Sequence, residues 1–74
     1  MLDATSAARL IGNPKKIAAF ARITAADAAL AVDMGNSQAQ RHLTARAVLL
    51  AQEAVKLDPD DADAIAALRE ILPS

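Results

Sequence analysis

Residues 23–47 have the sequence ITAADAALAVDMGNSQAQRHLTARA, and this stretch decides the predicted fold. Small apolar residues recur at helical spacing on both sides of Gly35, which predicts two helices joined by a short corner. Glycine is free to adopt the left-handed backbone conformation that such a corner requires. The second helix begins with the polar run NSQAQR, residues 36–41, from which the packing of a soluble domain gains little. We therefore predict a helix-turn-helix at about residues 24–47.

The composition predicts a single all-α domain. The chain has 74 residues, of which 54% are hydrophobic, and much of that share is alanine. Alanine favours helix and permits close approach of helices, whereas strand-forming residues never alternate over a useful length. A chain of this length makes one domain with a small core, here residues 1–74. We expect a compact bundle of about five helices that contains the helix-turn-helix.

Local start and stop signals divide the chain into these helices. Gly12 ends the first one, and Asn13 and Pro14 begin the second. Thr24 ends the short second helix and caps the third, while Pro59 ends the long fourth helix. The predicted helices cover about residues 3–11, 13–24, 24–32, 36–57 and 61–72. The predicted buried residues of the helix-turn-helix are Ala28, Ala29, Val32, Met34, Ala39 and Leu43.

The sequence contains no constellation that indicates catalysis or metal binding. There is no cysteine, which excludes disulfides and thiolate metal sites. The acidic segment 58–63 lacks the central glycine and the final glutamate of a calcium-binding loop. Neither a glycine-rich phosphate loop nor a Ser/His/Asp arrangement is present, and we interpret the single histidine, His42, as a packing or phosphate-contacting residue. We expect no enzyme activity, no cofactor and no metal.

The chain also lacks the signals of a membrane or secreted protein. Arg22 and Asp27 interrupt the apolar-rich run 17–32, so this run does not resemble a membrane span. The N-terminus has no basic region followed by an apolar core, as a signal peptide would have. We therefore expect a cytoplasmic protein with no membrane partner.

Charge is distributed unevenly along the chain. Residues 1–50 carry six basic and three acidic residues, a net charge of +3, whereas residues 51–74 carry two basic and six acidic residues, a net charge of −4. Folding is thus expected to give a basic face and an acidic end, which can orient a protein on a phosphate backbone. Two ordinary solvated faces would also explain the asymmetry.

The order of these features resembles the core of ArsR/MarR-type bacterial repressors. Upstream of the corner, ARLIGNPKK at residues 8–16 is similar to the leu-gly-asp-pro-x-arg segment of ArsR-like repressors. The resemblance covers about residues 7–47. The other matching positions are Ile23-Thr24, Ala29, Asp33-Met34, the polar run 36–40 and Arg41-His42-Leu43.

The chain departs from this family at several positions. Asp33 stands where the corner glycine is usual, and Arg46 stands where the family often has a buried leucine. The family continues into a β-hairpin wing, whereas this chain continues as helix. No cysteine pair or histidine cluster is present, so the resemblance does not imply a metal sensor. What remains is a wingless helical core, and its regular back half is also typical of a designed miniature.

The resemblance implies binding to double-stranded DNA, with a recognition helix at about residues 36–50 in the major groove. Side chains at its start would contact base edges, and basic or hydroxyl side chains elsewhere would contact phosphates. A monomer and a homodimer are both compatible with this interpretation. The candidate base-contacting residues are Asn36, Ser37, Gln38, Gln40, Arg41 and Thr44. The candidate phosphate-contacting residues are Arg9, Lys15, Lys16, Thr24 and His42.

Two alternatives remain open at the level of the sequence. Gly35 and Pro59 have the separation found in tetratricopeptide repeats, which are protein-interaction modules. That alternative predicts a helix break near His42, whereas the DNA-binding interpretation predicts an unbroken helix there. The second alternative is a designed helical bundle without a ligand, which fits the composition but leaves the polar run 36–41 unexplained.

Overall fold

The computed structural model describes residues 3–72, and within that range it contains four α-helices and no strand. The predicted all-α class is confirmed. The structure has four helices where five were predicted, because the predicted second and third helices form one continuous helix. The helices are α1 (Ala4–Ile11), α2 (Pro14–Asp33), α3 (Ser37–Leu57) and α4 (Ala62–Ile71).

Capping side chains begin every helix, as the local signals predicted. The Asn13 side chain accepts hydrogen bonds from the backbone N–H groups at the start of α2, and Pro14 occupies the first helical position. Asn36 caps α3 and Asp61 caps α4 in the same way. Gly12 ends α1 in the left-handed conformation, with φ at 66°. These side chains satisfy backbone groups that have no partner within a helix.

The predicted helix boundary at Thr24 is wrong. Thr24 lies inside α2, and its hydroxyl donates a hydrogen bond to the carbonyl oxygen of Phe20 at 2.9 Å. This bond is made within the helix, one turn back, so the hydroxyl does not cap a new helix. The side chain is buried in the completed fold. The same residue type can begin a helix or continue one, and here packing along α2 favours continuation.

The corner between α2 and α3 comprises residues 34–36, between the end of α2 at Asp33 and the start of α3 at Ser37. Gly35 has a φ of 74°, and no residue other than glycine has a positive φ within residues 3–72. Met34, which was predicted to be buried, lies at the C-cap of α2 and is 75% exposed. Ala29 and Val32 are also exposed, in contrast to the prediction, whereas Ala28 is buried.

Helices α2 and α3 form an antiparallel hairpin, and α1 and α4 pack on the two flanks of α3. The Arg46 guanidinium in α3 lies 5.9 Å from the ring centre of Phe20 in α2, and Val32 near the end of α2 lies beside Gln40 near the start of α3. Antiparallel contact along the helices is typical of an αα-hairpin, whereas the helices of a helix-turn-helix cross at about 90–120°.

Helix α4 runs parallel to α2, and therefore antiparallel to α3. The start of α4 contacts the start of α2, since Lys15 pairs with Asp63, and the end of α4 contacts the middle of α2, since Arg22 pairs with Glu70. Both pairs are separated by 48 residues, so α4 runs parallel to α2 in a constant register. On the opposite flank of α3, the start of α1 lies beside His42. Within residues 3–72, α1 and α4 are not in contact.

The core is built largely from alanine. Ile17 and Leu50 are the largest side chains with no exposed surface. Partly buried residues such as Phe20 and Leu68 surround this core. Small side chains let the helices approach closely, but they remove little apolar surface from water. The buried alanines are Ala4, Ala7, Ala8, Ala18, Ala21, Ala28, Ala31, Ala47, Ala51, Ala54, Ala64 and Ala67.

Helix α3 is unbroken from Ser37 to Leu57. The break near His42 that tetratricopeptide spacing predicts is therefore absent, and Gly35 lies in the corner instead of inside a helix. No helix in residues 3–72 combines the length and apolar character that crossing a membrane requires.

Candidate functional site

The six candidate base-contacting residues lie together at the start of α3, but they do not share one exposed face. Ser37, Gln38 and Arg41 are exposed, whereas Gln40 and Thr44 are half-buried. The Gln40 amide donates to the Thr44 hydroxyl at 3.3 Å, and that hydroxyl donates to the Gln40 carbonyl at 2.8 Å. The Asn36 side chain caps α3 by accepting from the Ala39 N–H at 3.0 Å.

The candidate phosphate-contacting residues divide between the two ends of the hairpin. Arg9, Lys15 and Lys16 are exposed near the end of α1 and the start of α2, whereas His42 is exposed near the start of α3. Helix α2 spans 20 residues, which is about 30 Å at 1.5 Å per residue. Lys15 and Lys16 are therefore far from the polar start of α3. The candidate Thr24 is buried, with its hydroxyl bonded to Phe20, which leaves it no surface for a phosphate.

Lys15 is bound to the start of α4. Its ammonium lies 3.2 Å from a carboxylate oxygen of Asp63 and 3.4 Å from one of Asp61. These hydrogen bonds to Asp63 and Asp61 raise the pKa of Lys15 above its ordinary value. Lys15 thus joins the first turn of α2 to the start of α4. These contacts explain why a lysine occupies a helix start, where acidic groups are usual.

Asp61 is the most densely bonded polar side chain of this cluster. Burial by itself raises the pKa of the Asp61 carboxyl, but hydrogen bonds from the Ala64 and Asp63 N–H groups and the Lys15 ammonium outweigh it and hold this pKa below its ordinary value. One carboxylate oxygen accepts from the Asp63 N–H at 2.9 Å and from the Ala64 N–H at 3.2 Å. The contacts of Lys15, Asp61 and Asp63 therefore hold the start of α2 against the start of α4.

Two ion pairs on the surface join the basic front half of the chain to its acidic back half. Arg22 donates to Glu70 at 3.1 Å, so two basic residues of α2 pair with acidic residues of α4. Arg46 lies over the Phe20 ring. The basic front half and the acidic back half therefore meet along α2 and α4, while Arg9, Lys16 and Arg41 of the front half remain exposed.

An apolar groove runs along one flank of α3, and sequence analysis did not identify it as a site. The groove has a volume of about 580 Å³, and its apolar wall consists of Ala45, Val48, Leu49 and Leu72. Gln40, Arg41 and Thr44 line one end of it. Leu49 is 47% exposed and Leu72 is 42% exposed. The available signal was the run of apolar residues in α3 after residue 47.

A second depression lies between the corner of the hairpin and the end of α4. It has a volume of about 490 Å³, and its lining includes Val32, Gln40 and Ile71 together with the Arg22–Glu70 ion pair. This ion pair lies at the margin of the depression and holds α4 against α2. Within residues 3–72 no cluster of three or more histidine or acidic residues is arranged to bind a metal ion.

The site that the structure assembles thus differs from the one that the sequence outlined. Three of the predicted residues, Gln40, Arg41 and Thr44, line the α3 groove together with apolar residues from α3 and α4. Ser37, Gln38 and His42 remain exposed around the start of α3. No protein-family model matches the chain, and comparison with curated proteins and with solved structures finds no match for it.

Proposed function

We propose that this domain is a helical protein-interaction module that binds an amphipathic helix of another protein in the α3 groove. The observation that carries the proposal is the position of this groove in the stack of helices. Helix α3 packs antiparallel to α2 and is flanked by α1 and α4, and the groove lies on the remaining exposed face of α3, with Leu72 from the end of α4 at its side. A helix in the groove would pack against this exposed face of α3 and against Leu72.

Stacked helical hairpins give this geometry a physical basis. A helical hairpin does not bury its apolar surface alone, and neighbouring helices in a stack cover it. In this chain α4 covers part of α2 and α3, but Leu49 and Leu72 stay exposed at the open edge. Docking of an apolar helix stripe in such a groove is a common mode of peptide recognition.

The polar end of the groove indicates the chemistry of the partner. Arg41 is the one charged residue that lines the groove, and within residues 3–72 it forms no ion pair. Gln40 and Thr44 beside it supply an amide and a hydroxyl. An acidic residue on the partner helix would complement Arg41, while aliphatic side chains would fill the space between Val48 and Leu72. We therefore propose a partner helix with an aliphatic stripe and an acidic end.

This proposal is tested with a displayed library of 20-residue amphipathic helices that carry aliphatic stripes and variable charges. We expect enrichment of peptides with an acidic end. Leu49→Glu should reduce the affinity of the enriched peptides at least tenfold, because it places a charge in the apolar wall. Binding is measured by fluorescence anisotropy, and amide chemical shifts should move at Thr44, Val48 and Leu49.

The matched control is Leu57→Glu, which changes another exposed leucine of α3 outside the groove. Leu57 is 52% exposed, so its substitution should leave both the fold and the peptide affinity unchanged. Helix content is checked for each variant by circular dichroism. The proposal fails if no peptide is enriched, or if Leu49→Glu binds the enriched peptides as tightly as the unchanged chain.

We also propose a second candidate, binding of double-stranded DNA by the exposed start of α3. The observation that favours it is the cluster of Gln38, Arg41 and His42, which are all exposed on the first two turns of α3. No acidic residue occurs in residues 34–52, so no carboxylate in this segment would repel phosphates. Glutamine and arginine are residue types that recognise adenine and guanine in the major groove.

DNA binding is tested by selection from a library of random duplexes at low salt. If a preferred site emerges, Arg41→Ala should relax specificity at particular base pairs by about 1–3 kcal/mol. Arg69→Ala, an exposed arginine on α4, is the matched control and should leave specificity unchanged. Absence of an enriched duplex at low salt would exclude this candidate.

A further inference from the structure

The outward face of α2 carries a regular stripe that no other part of residues 3–72 covers. Its members are exposed and follow one another at alternating spacings of three and four residues, which places them in line along one helix face. Ile23 is 60% exposed and Leu30 is 57% exposed. We call this set the α2 stripe; it consists of Lys16, Ala19, Ile23, Ala26, Leu30 and Asp33.

An apolar stripe at this position is not needed for the fold of the domain. The opposite face of α2 already packs in the core, through residues that include Ile17, Ala21 and Ala28. A helix that is apolar on two faces is normally buried on both of them. The exposed face of α2 is therefore covered by no other part of residues 3–72. Asp27 lies next to this face and is exposed.

The α2 stripe is complementary to itself when two copies are antiparallel. In the register that places Lys16 opposite Asp33 of the partner subunit, Ile23 lies opposite Ala26 of the partner subunit. Leu30 lies opposite Ala19 of the partner subunit in the same register. Each layer thus pairs a large side chain with a small one, which lets the two helices approach closely. The part of the stripe between its charged ends runs from Ala19 to Leu30, 12 residues that span about 17 Å.

The charges at the two ends of the stripe determine the direction of pairing. An antiparallel pair places a lysine opposite an aspartate at both ends, whereas a parallel pair places lysine opposite lysine and aspartate opposite aspartate. Within residues 3–72, neither Lys16 nor Asp33 forms an ion pair, in contrast to Lys15 and Arg22 on the same helix. In an antiparallel dimer, Lys16 of each copy would form an ion pair with Asp33 of the other copy.

We propose that the domain forms an antiparallel homodimer through the α2 stripe. The stripe and the α3 groove share no residues, so this inference is independent of the proposed function. The contact is a single helix pair with two aliphatic side chains from each copy, smaller than a standard interface. A dissociation constant on the order of 10–100 μM is therefore expected.

Sedimentation velocity measures this association. Protein concentrations from about 5 to 500 μM are used, because this range extends below and above the expected dissociation constant of about 10–100 μM. The unchanged chain should shift from monomer to dimer across the range. Leu30→Glu should remain monomeric throughout, because it places a charge opposite Ala19. Leu57→Glu, the matched exposed leucine on α3, should dimerise like the unchanged chain. A monomeric unchanged chain at the highest concentration, or a dimer of undiminished affinity in Leu30→Glu, would overturn the proposal.

A charge reversal tests the register and direction. Lys16→Glu alone and Asp33→Lys alone should each weaken the dimer at least tenfold, because each creates like charges at both ends. The double variant should restore the dimer. Both substitutions suit the dipole of α2, since they place an acid in its first turn and a base in its last, so unfolding does not explain a loss. A double variant as weak as the single variants would exclude the antiparallel register.

Discussion

Leu50→Ala is expected to lower the free energy of unfolding by about 2–5 kcal/mol, the range for removing a fully buried leucine. Leu50 has no exposed surface, and with Ile17 it is one of the two largest side chains that are fully buried. The surrounding core consists mostly of alanines, which are too short to close the space that the leucine side chain would leave. Since domains are stable by only about 5–15 kcal/mol, this variant should lose a large part of its stability.

Urea denaturation followed by circular dichroism measures this effect. The control is Leu57→Ala, which removes the same atoms from the end of the same helix at a position that is 52% exposed. A surface change of this kind usually alters stability by about 0.5 kcal/mol or less. Equal losses of stability in the two variants would contradict the packing of α3 described above, because a buried and an exposed leucine would then contribute the same amount.

The ends of the helices could be predicted because each depends on chemistry within a few residues. Asn13 before Pro14 provides a cap and a suitable first helical residue, and Gly12 provides the left-handed stop before them. Pro59 disfavours helix at the preceding residue, and Asp61 then caps α4. Such signals are complete within the local sequence, and the structure confirms them.

The continuity of α2 could not be predicted from the same kind of signal. A threonine hydroxyl can cap a new helix or bond to the carbonyl one turn back, and the local sequence around Thr24 permits both. In the structure Thr24 lies on the buried face of α2, together with Ala21 and Ala28, and the helix continues through it. The burial of Ala28 and the exposure of Ala29 and Val32 follow from the same helix, since its buried face is set by the whole length of the hairpin.

The candidate site was predicted only in part because its geometry depends on contacts between distant residues. Lys15 and Arg22 looked free in the sequence, and their partners Asp63 and Glu70 lie 48 residues away. The local pattern correctly indicated a polar start for α3, where Arg41 is exposed. It gave no indication that residues from α4 would form the far side of an apolar groove, because that depends on how α4 packs.

Ala47→Leu is expected to lower the free energy of unfolding by about 1–3 kcal/mol, the usual range for adding atoms to a filled core. Ala47 has no exposed surface, and close contact of α3 with its neighbours depends on side chains of this size. A leucine there must move α3 outward or adopt a strained rotamer.

The same substitution on the opposite face of α3, Ala45→Leu, separates this effect from any change in helix propensity. Ala45 is exposed, and alanine and leucine are both strong helix formers, so Ala45→Leu should change stability very little. Urea denaturation of both variants measures the difference. Residues two positions apart in a helix point to nearly opposite sides. A large loss of stability for Ala47→Leu alone would therefore show which side of α3 is packed. Equal and small changes would instead mean that the alanine contacts are loose, and that the exposed α2 stripe and the α3 groove do not rest on a rigid hairpin.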